Sequence, residues 1–253
     1  MLYLIGVGLS NYDITMEGLE ACRKCSHIYA EAYTSNLTEE KLKDLSKILE
    51  KKIDQLGRTD LEENAKTLID AASKEDIGLL INGDPLVATT HKTLLMEAEA
   101  SGVDTKVIHS TSILSVSIGE SGIDFYRVGA VCTIADWSEH YHPISFYETL
   151  KGNIERNLHS IILLDYDYKS QSTLPIEKAA FIMREAEEHY KKKIILDYTR
   201  FLVLNNVGTE NGKIKLFTFS KLKTAHIPGM NTIILLANLS DLENEWVSKI
   251  EKA

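Results

Sequence analysis

Short apolar runs alternate along the chain with longer stretches whose apolar positions repeat at helical spacing, and this alternation predicts an α/β architecture. Residues 2–5 predict an opening strand that stops at Gly6-Val7-Gly8, and residues 15–25 a helix that Asp13 or Thr15 can cap. Residues 27–33 predict a second strand. The stretch 38–51 then places Leu42, Leu45, Ile48 and Leu49 on one helical face. Asp60 and Glu63 stand in capping-box register ahead of Leu61, Ala65, Leu68, Ile69 and Ala72, which predicts another helix. The run 77–81 has no polar residue to alternate with, so it predicts a strand buried on both faces, ending at Asn82-Gly83-Asp84-Pro85. A helix over 89–100 closed by Gly102 and a strand over 106–109 complete the first half.

Between residues 110 and 122 the composition shifts to Ser, Thr and Gly, which places a domain junction there and divides the chain into 1–110 and 111–253. The alternation then resumes. Strands are predicted at 131–134, 160–164, 201–204 and 232–237, with helices over 145–157 and from Pro175 onward, where proline suits a first turn. A last helix opens with Ser240 and Glu243 in capping-box register and is expected to bury Leu242, Trp246, Val247 and Ile250.

The 253 residues carry 28 Lys and Arg against 37 Asp and Glu, a formal net charge of −9. That balance, with no long basic run, argues against nucleic acid as a partner, because phosphate-backbone binding depends on Lys and Arg releasing counterions. No apolar run approaches the ~20 residues of a membrane span. The chain opens directly on a strand with no basic segment ahead of it, so no secretory signal is expected, and an odd count of three cysteines suits a reducing cytoplasm.

Two turns carry candidate chemistry. Gly6-Val7-Gly8-Leu9 follows the first strand, where glycines let backbone approach a ligand closely. A dinucleotide fingerprint needs a third glycine where Asn11 stands, although Glu31 lies at the spacing of a ribose-binding acid, so nicotinamide binding stays open as an alternative. Gly83-Asp84-Pro85-Leu86-Val87-Ala88-Thr89-Thr90-His91 puts a carboxylate, hydroxyls and backbone N–H groups at another strand end, or simply orders a proline turn ahead of a Thr89-capped helix. Cys22-x-x-Cys25 falls inside a helix with no companion ligands, so a buried structural role is expected and no metal. His140-Tyr141-His142 and Lys191-Lys192-Lys193 read as exposed polar segments. No Ser/His/Asp triad or Walker loop can be assembled.

The opening Leu4-Ile5-Gly6-Val7-Gly8-Leu9, with Asp13-Ile14-Thr15 and Gly18-Leu19, resembles the tetrapyrrole methylase superfamily and, within it, the diphthine synthase family. Leu9 stands where corrin- and porphyrin-methylating relatives usually have proline. Glu31-Ala32-Tyr33-Thr34-Ser35, the run 83–91, Ser112-Ile113 and His159 through Leu164-Asp165 continue the match. The resemblance implies two α/β domains with a cofactor cleft between them, S-adenosylmethionine as methyl donor and S-adenosylhomocysteine as product. It implies methylation of the amino group of a 3-amino-3-carboxypropyl-histidine on translation elongation factor 2, giving diphthine, by a cytoplasmic protein that commonly forms homodimers. Residues matching the family's cofactor positions are Leu9, Asp84, Val87, Ser112, Ile113 and Leu164. Val207 and Asn231 are carried over although Asn205-Asn206-Val207-Gly208 departs from the family's Ala-Arg-Ala-Gly and Asn231 replaces its histidine. No catalytic residue is assigned. A tetrapyrrole methyltransferase is the nearest alternative, followed by a nicotinamide-dependent dehydrogenase and a non-catalytic nucleotide-binding regulator.

Overall fold

The structure is a computed structural model and describes residues 1–33, 37–167 and 172–252. Its chain divides into two compact units, Met1–Ile113 and the residues from Leu114 onward.

The first unit is a parallel five-stranded sheet built from β1 (Leu2–Gly6), β2 (His27–Glu31), β3 (Ile53–Leu56), β4 (Ile77–Ile81) and β5 (Thr105–Ile108). Helices α1 (Met16–Lys24), α2 (Glu39–Leu49), α3 (Ala65–Ala72) and α4 (Lys92–Ala100) connect them. The strand order is β3-β2-β4-β1-β5, with every pairing parallel. β4 sits at the centre and is buried along its whole length, as its uninterrupted apolar run requires. One core cluster gathers Leu2, Leu4, Leu79, Ile81, Leu68 and Ile69, and another Ile5, Ile28, Leu80, Cys22 and Leu45, so both faces of the sheet are covered.

Thr15 caps α1 by accepting the Gly18 N–H at 3.0 Å, and Asp13 serves elsewhere. The capping box expected at Asp60 and Glu63 does not form. Asp60 accepts the Gly57 N–H at 2.9 Å, a π-helical turn spans Thr59–Glu63, and α3 starts only at Ala65. The strand β3 escapes an apolar pattern because it lies at the sheet edge, with Asp54 and Gln55 exposed.

The second unit contains α5 (Ile113–Ser121), which begins at the last residue of the first unit, β6 (Cys132–Ile134), α6 (Phe146–Glu155) and β7 (Ser160–Leu164). A two-residue pair, β8 (Tyr166–Asp167) and β9 (Ser172–Thr173), leads to α7 (Ile176–Tyr190). β10 (Arg200–Asn205), β11 (Lys213–Thr218), α8 (Phe219–Leu222), β12 (Asn231–Leu235) and α9 (Asp241–Lys252) finish it. Its sheet is mixed, in the order β11-β10-β12-β7-β6, parallel only between β6 and β7.

The polar stretch expected to be only a junction therefore forms a helix, buried at Ser117 and Ser121. Small hydroxyl residues there allow close packing, and an apolar-face pattern does not register them. In α9 the capping box forms, with the Ser240 N–H on Glu243 at 2.7 Å and the Glu243 N–H on Ser240 Oγ at 3.4 Å. The expected burial holds at Val247, is partial at Ile250 and fails at Leu242 and Trp246. Leu242 is 75% and Trp246 45% exposed, whereas Glu243 and Val247 face inward. Glu243 is drawn in by polar partners, namely His159 Nε2 at 3.0 Å, the Asp124 N–H at 3.0 Å and the Arg127 guanidinium. Burial works to raise its carboxyl pKa. The N–H groups of Asp124 and Ser240, with Ser240 Oγ and His159, override that and hold it down at about 2.

Candidate functional site

In the first sheet, connections from β1 run to β2 on one side, and those from β4 run to β5 on the other. The order reverses between β1 and β4, and open α/β sheets bind ligands outside the carboxyl ends of the strands at that switch point. Both glycine-bearing turns lie there.

The two turns are bonded to each other. Val7 donates its N–H to Ile81 O at 2.9 Å, Gly8 to Gly83 O at 3.2 Å, and Gly83 back to Gly8 O at 2.9 Å. Gly8 and Gly83 both adopt positive φ, +62° and +72°. At Gly8 a Cβ would stand 2.1 Å from Asp13 Cβ, so the position excludes side chains by space as well as by conformation. Asp13 holds the loop from beneath. Its Oδ2 accepts the N–H groups of Leu9 and Ser10, each at 3.0 Å, and its Oδ1 the Ser10 hydroxyl at 2.6 Å. Burial alone would raise the Asp13 pKa, but the bonds from Ser10 and Leu9, with Lys41 nearby, lower it, so the carboxylate stays charged.

Lys41 closes the assembly. From the first turn of α2 its ammonium, 2% exposed as a residue, donates to Gly8 O at 2.7 Å and to Asn82 Oδ1 at 3.1 Å, tying one turn to the other. Burial pushes its pKa down to about 8, opposed by the Asp13 carboxylate. The pattern of α2 carries a signal for it, since position 41 stands on the same helical face as Leu45 and Ile48 and a lysine interrupts that face.

Asp84 is 7% exposed. Its Oδ1 accepts the Leu86 N–H at 3.0 Å, and its Oδ2 lies 2.8 Å from His109 Nδ1 and 3.4 Å from the Ser110 N–H. The carboxylate thus does order the proline turn. Thr89, by contrast, caps nothing. Its hydroxyl donates to Pro85 O at 2.6 Å, and α4 starts at Lys92. Leu9, Val87, Ser112 and Ile113 surround the same sheet end, each half-buried. A Cβ at Gly83 would stand 3.8 Å from Leu9 Cδ2 and from Thr111 O, in ordinary van der Waals contact, so the positive φ rather than lack of room calls for glycine there. Of the run 31–35, Glu31 is buried and its Oε1 accepts the Tyr33 N–H, while Thr34 and Ser35 lie outside the described residues.

Register brings the other expected residues to one end of the second sheet. Thr232 pairs with Leu163 and Asn205 with Asn231, so Leu164, the Asn205–Val207 turn and Asn231 share that end. Leu164, Val207 and Asn231 are 7%, 4% and 5% exposed. The Asn231 amide is occupied, donating to Ile227 O at 2.9 Å and Gly229 O at 3.1 Å and accepting from Asn205 Nδ2 at 3.0 Å. Its backbone N–H is taken too, donating to Thr173 Oγ1 at 3.3 Å, so any ligand contact at Asn231 falls to its backbone carbonyl. His159, also in the matching run, is structural, fixed between Glu243 and the Ala237 N–H.

Cys22 and Cys25 are buried in the core of the first unit, and burial raises their thiols to about 12 and about 11. His140, Tyr141, His142 and the three lysines at 191–193 are exposed. Among the described residues no group of three or more His, Cys, Asp or Glu side chains is poised to hold a metal, and no helix is long and apolar enough to cross a membrane.

Comparison with known proteins places these features in a family. Residues 1–223 match the family model of tetrapyrrole (corrin/porphyrin) methylases. A diphthine synthase of Methanothermobacter thermautotrophicus is 32% identical, covering 100% of this chain and 96% of the relative. A mouse diphthine methyl ester synthase is 33% identical over 98% of this chain and 95% of its own length. A crystal structure of diphthine synthase superposes with a TM-score of 0.87 at 28% identity, covering 100% of this chain and 96% of that one.

Proposed function

The chain belongs to the tetrapyrrole methylases and, within them, to the diphthine synthases, methyltransferases of diphthamide biosynthesis, and from that membership we propose its donor, acceptor and contact residues. The donor is S-adenosylmethionine. The acceptor is the amino group of the 3-amino-3-carboxypropyl-histidine on translation elongation factor 2, and the product is diphthine. The protein works in the cytoplasm as a homodimer.

The observation that carries the donor assignment is the pair of mutually bonded turns at the switch point, with Asp84 and half-buried apolar residues beside them. The chemistry of this set suits the donor. Leu9, Val87 and Ile113 offer an apolar wall to a flat base, and Asp84 offers carboxylate oxygens to hydroxyls or to positive charge. Ser112 adds a polar contact. Leu164, Val207 and the Asn231 backbone are proposed as contacts from the second unit. When bound, the donor supplies an electrophilic methyl carbon on a sulfonium leaving group.

The residues' task is then alignment. Holding amine, carbon and sulfur in line is worth on the order of 7–11 kcal/mol, and a loop locked by Asp13 and Lys41 suits that demand. The amine must be neutral to attack. An α-amino group has a pKa of about 7.7–8, so a useful fraction is free near neutrality and no side-chain base is assigned.

Two measurements test this reading. Mass spectrometry of elongation factor 2 carrying the unmethylated precursor, incubated with the enzyme and donor, should show whole methyl steps confined to the modified histidine. The number of steps separates a trimethyl product from a methyl ester. Asp84→Asn should weaken donor binding about tenfold or more by calorimetry, the scale of a lost charged hydrogen bond. Unchanged binding would remove Asp84 from the site, and methylation of a porphyrinoid in place of the factor would favour the tetrapyrrole alternative.

A further inference from the structure

A cavity of about 270 Å³ lies in the first unit, lined by Leu61, Glu62, Thr90, His91, Leu94 and Glu97, with Tyr33 against His91. One of its lining residues, His91, carries a buried polar atom that the fold leaves unused. His91 is 2% exposed, and its Nδ1 stands 3.1 Å from Pro85 O. A carbonyl only accepts, so Nδ1 carries a proton, and in the neutral ring Nε2 presents a lone pair. Nε2 is buried without a hydrogen-bond partner among the described residues. Orphaned buried acceptors are rare, and each calls for an explanation.

The other lining groups say what would satisfy it. The Tyr33 hydroxyl lies 3.5 Å from Thr90 Oγ1, and Thr90 donates to Glu62 Oε1 at 3.1 Å, so that hydroxyl's proton is spent inside the wall. Burial raises the Tyr33 phenol to about 12, so it stays neutral. What remains for a ligand is the His91 lone pair and two carboxylates, Glu62 and Glu97. Arg58 pairs with Glu62 at 3.2 Å, and no cation among the described residues pairs with Glu97. Leu61 and Leu94 supply apolar wall between these groups.

We propose that this cavity binds a primary ammonium group on an alkyl stem, with an N–H donated to His91 Nε2, the charge met by Glu62 and Glu97, and the methylenes against Leu61 and Leu94. Resting on the methyltransferase reading, the ammonium comes from the protein substrate. It is either the acceptor's own amino group, held in its protonated form before the proton is lost and the amine attacks, or a lysine side chain beside it.

The probes are n-butylammonium and tetramethylammonium, which carry the same charge but differ in having an N–H. The full-length protein, ¹⁵N-labelled at its eight histidines, is titrated with each, and the His91 resonances are assigned by their loss in His91→Phe. Butylammonium should shift the Nε2 signal saturably and bind about tenfold more tightly than tetramethylammonium. His91→Phe keeps a ring but removes the lone pair, and should abolish that discrimination. Glu62→Gln and Glu97→Gln change exposed carboxylates without disturbing the core, and should weaken both cations. No saturable shift, or equal affinity for the two cations in the native protein, overturns the proposal. Because the titration contains neither donor nor acceptor, its outcome is independent of whether methylation is observed.

Inhibition of methylation then separates the sources. Competition against a short acceptor peptide without lysine identifies the acceptor amine as occupant. Competition only against the intact factor identifies a neighbouring lysine.

Discussion

Lys41→Met should change how stability depends on pH, because the native ammonium is buried while donating to Gly8 O and Asn82 Oδ1. Burial holds the folded pKa at about 8, whereas the unfolded chain restores the ordinary value of about 10.4. Below about pH 8 both states hold the proton, and the folded state bears the full penalty of the buried charge. Between about pH 8 and about 10.4 the unfolded state binds the proton and the folded state does not, so stability rises with pH. Above that window both are neutral and the penalty is gone.

A gap of roughly 2.5 pKa units corresponds to about 3 kcal/mol. Of this roughly 1 kcal/mol is recovered between about pH 7 and about pH 9, and most of the rest by about pH 10. Methionine has similar length and no charge, so the difference in urea unfolding free energy between native and variant should move toward the native protein by those amounts. Titrations common to both proteins cancel. The absolute difference near neutrality is small, since two acceptors left without a donor cost about 1–3 kcal/mol each and offset the relieved charge. The slope therefore carries the test. A difference that stays flat across the window would refute the depressed pKa and the buried ammonium with it.

Gly8→Ala should lower stability by about 2 kcal/mol or more, because φ is +62° and the new Cβ would stand 2.1 Å from Asp13 Cβ; it should also lower donor affinity, and a calorimetric titration beside thermal melting reads both. Glu243→Gln should cost about 3–5 kcal/mol at neutral pH by leaving the Arg127 and His159 contacts without their carboxylate. The native Glu243, held at about 2, contributes stability that is complete above about pH 4.5 and is lost as pH falls toward 2, so the variant's unfolding curves should lose that acid dependence. Cys22 and Cys25 are buried and burial raises their thiols to about 12 and about 11, so iodoacetamide at neutral pH should label neither until denaturant is added; rapid labelling of either in the folded protein would contradict their burial.

The sequence and the tertiary structure divide the molecule between them along physical lines. Elements whose faces are uniformly apolar were legible. β4 and β7 have the predicted bounds, 77–81 and 160–164, because a strand buried on both faces admits almost no polar residue. Local chemistry was legible too, as in the Thr15 cap and the Ser240–Glu243 box, which depend on neighbours three residues apart. Edge strand β3 and helix α5 escaped, one because exposure frees its pattern and the other because it packs through serines.

At the site, the amino-acid order alone marked the two glycine turns and Asp84, since turns after apolar strands announce themselves locally. It did not say that the turns bond to each other. It gave no hint that Asp13 would hold the loop instead of capping α1, or that Lys41 would cross 33 residues to Gly8. It left His91 as one more residue of a motif, because an unpaired lone pair is defined by what fails to surround it. Burial in α9 departed in part from its apolar spacing for the same reason. Periodicity counts Leu242 and Trp246 as apolar, but only the assembled unit brings His159, Asp124 and Arg127 to Glu243. Hydrophobic spacing is a property of neighbours in sequence and was fixed before folding. The partners of buried polar groups come from strands and helices far apart in the chain, and only their packing could decide them.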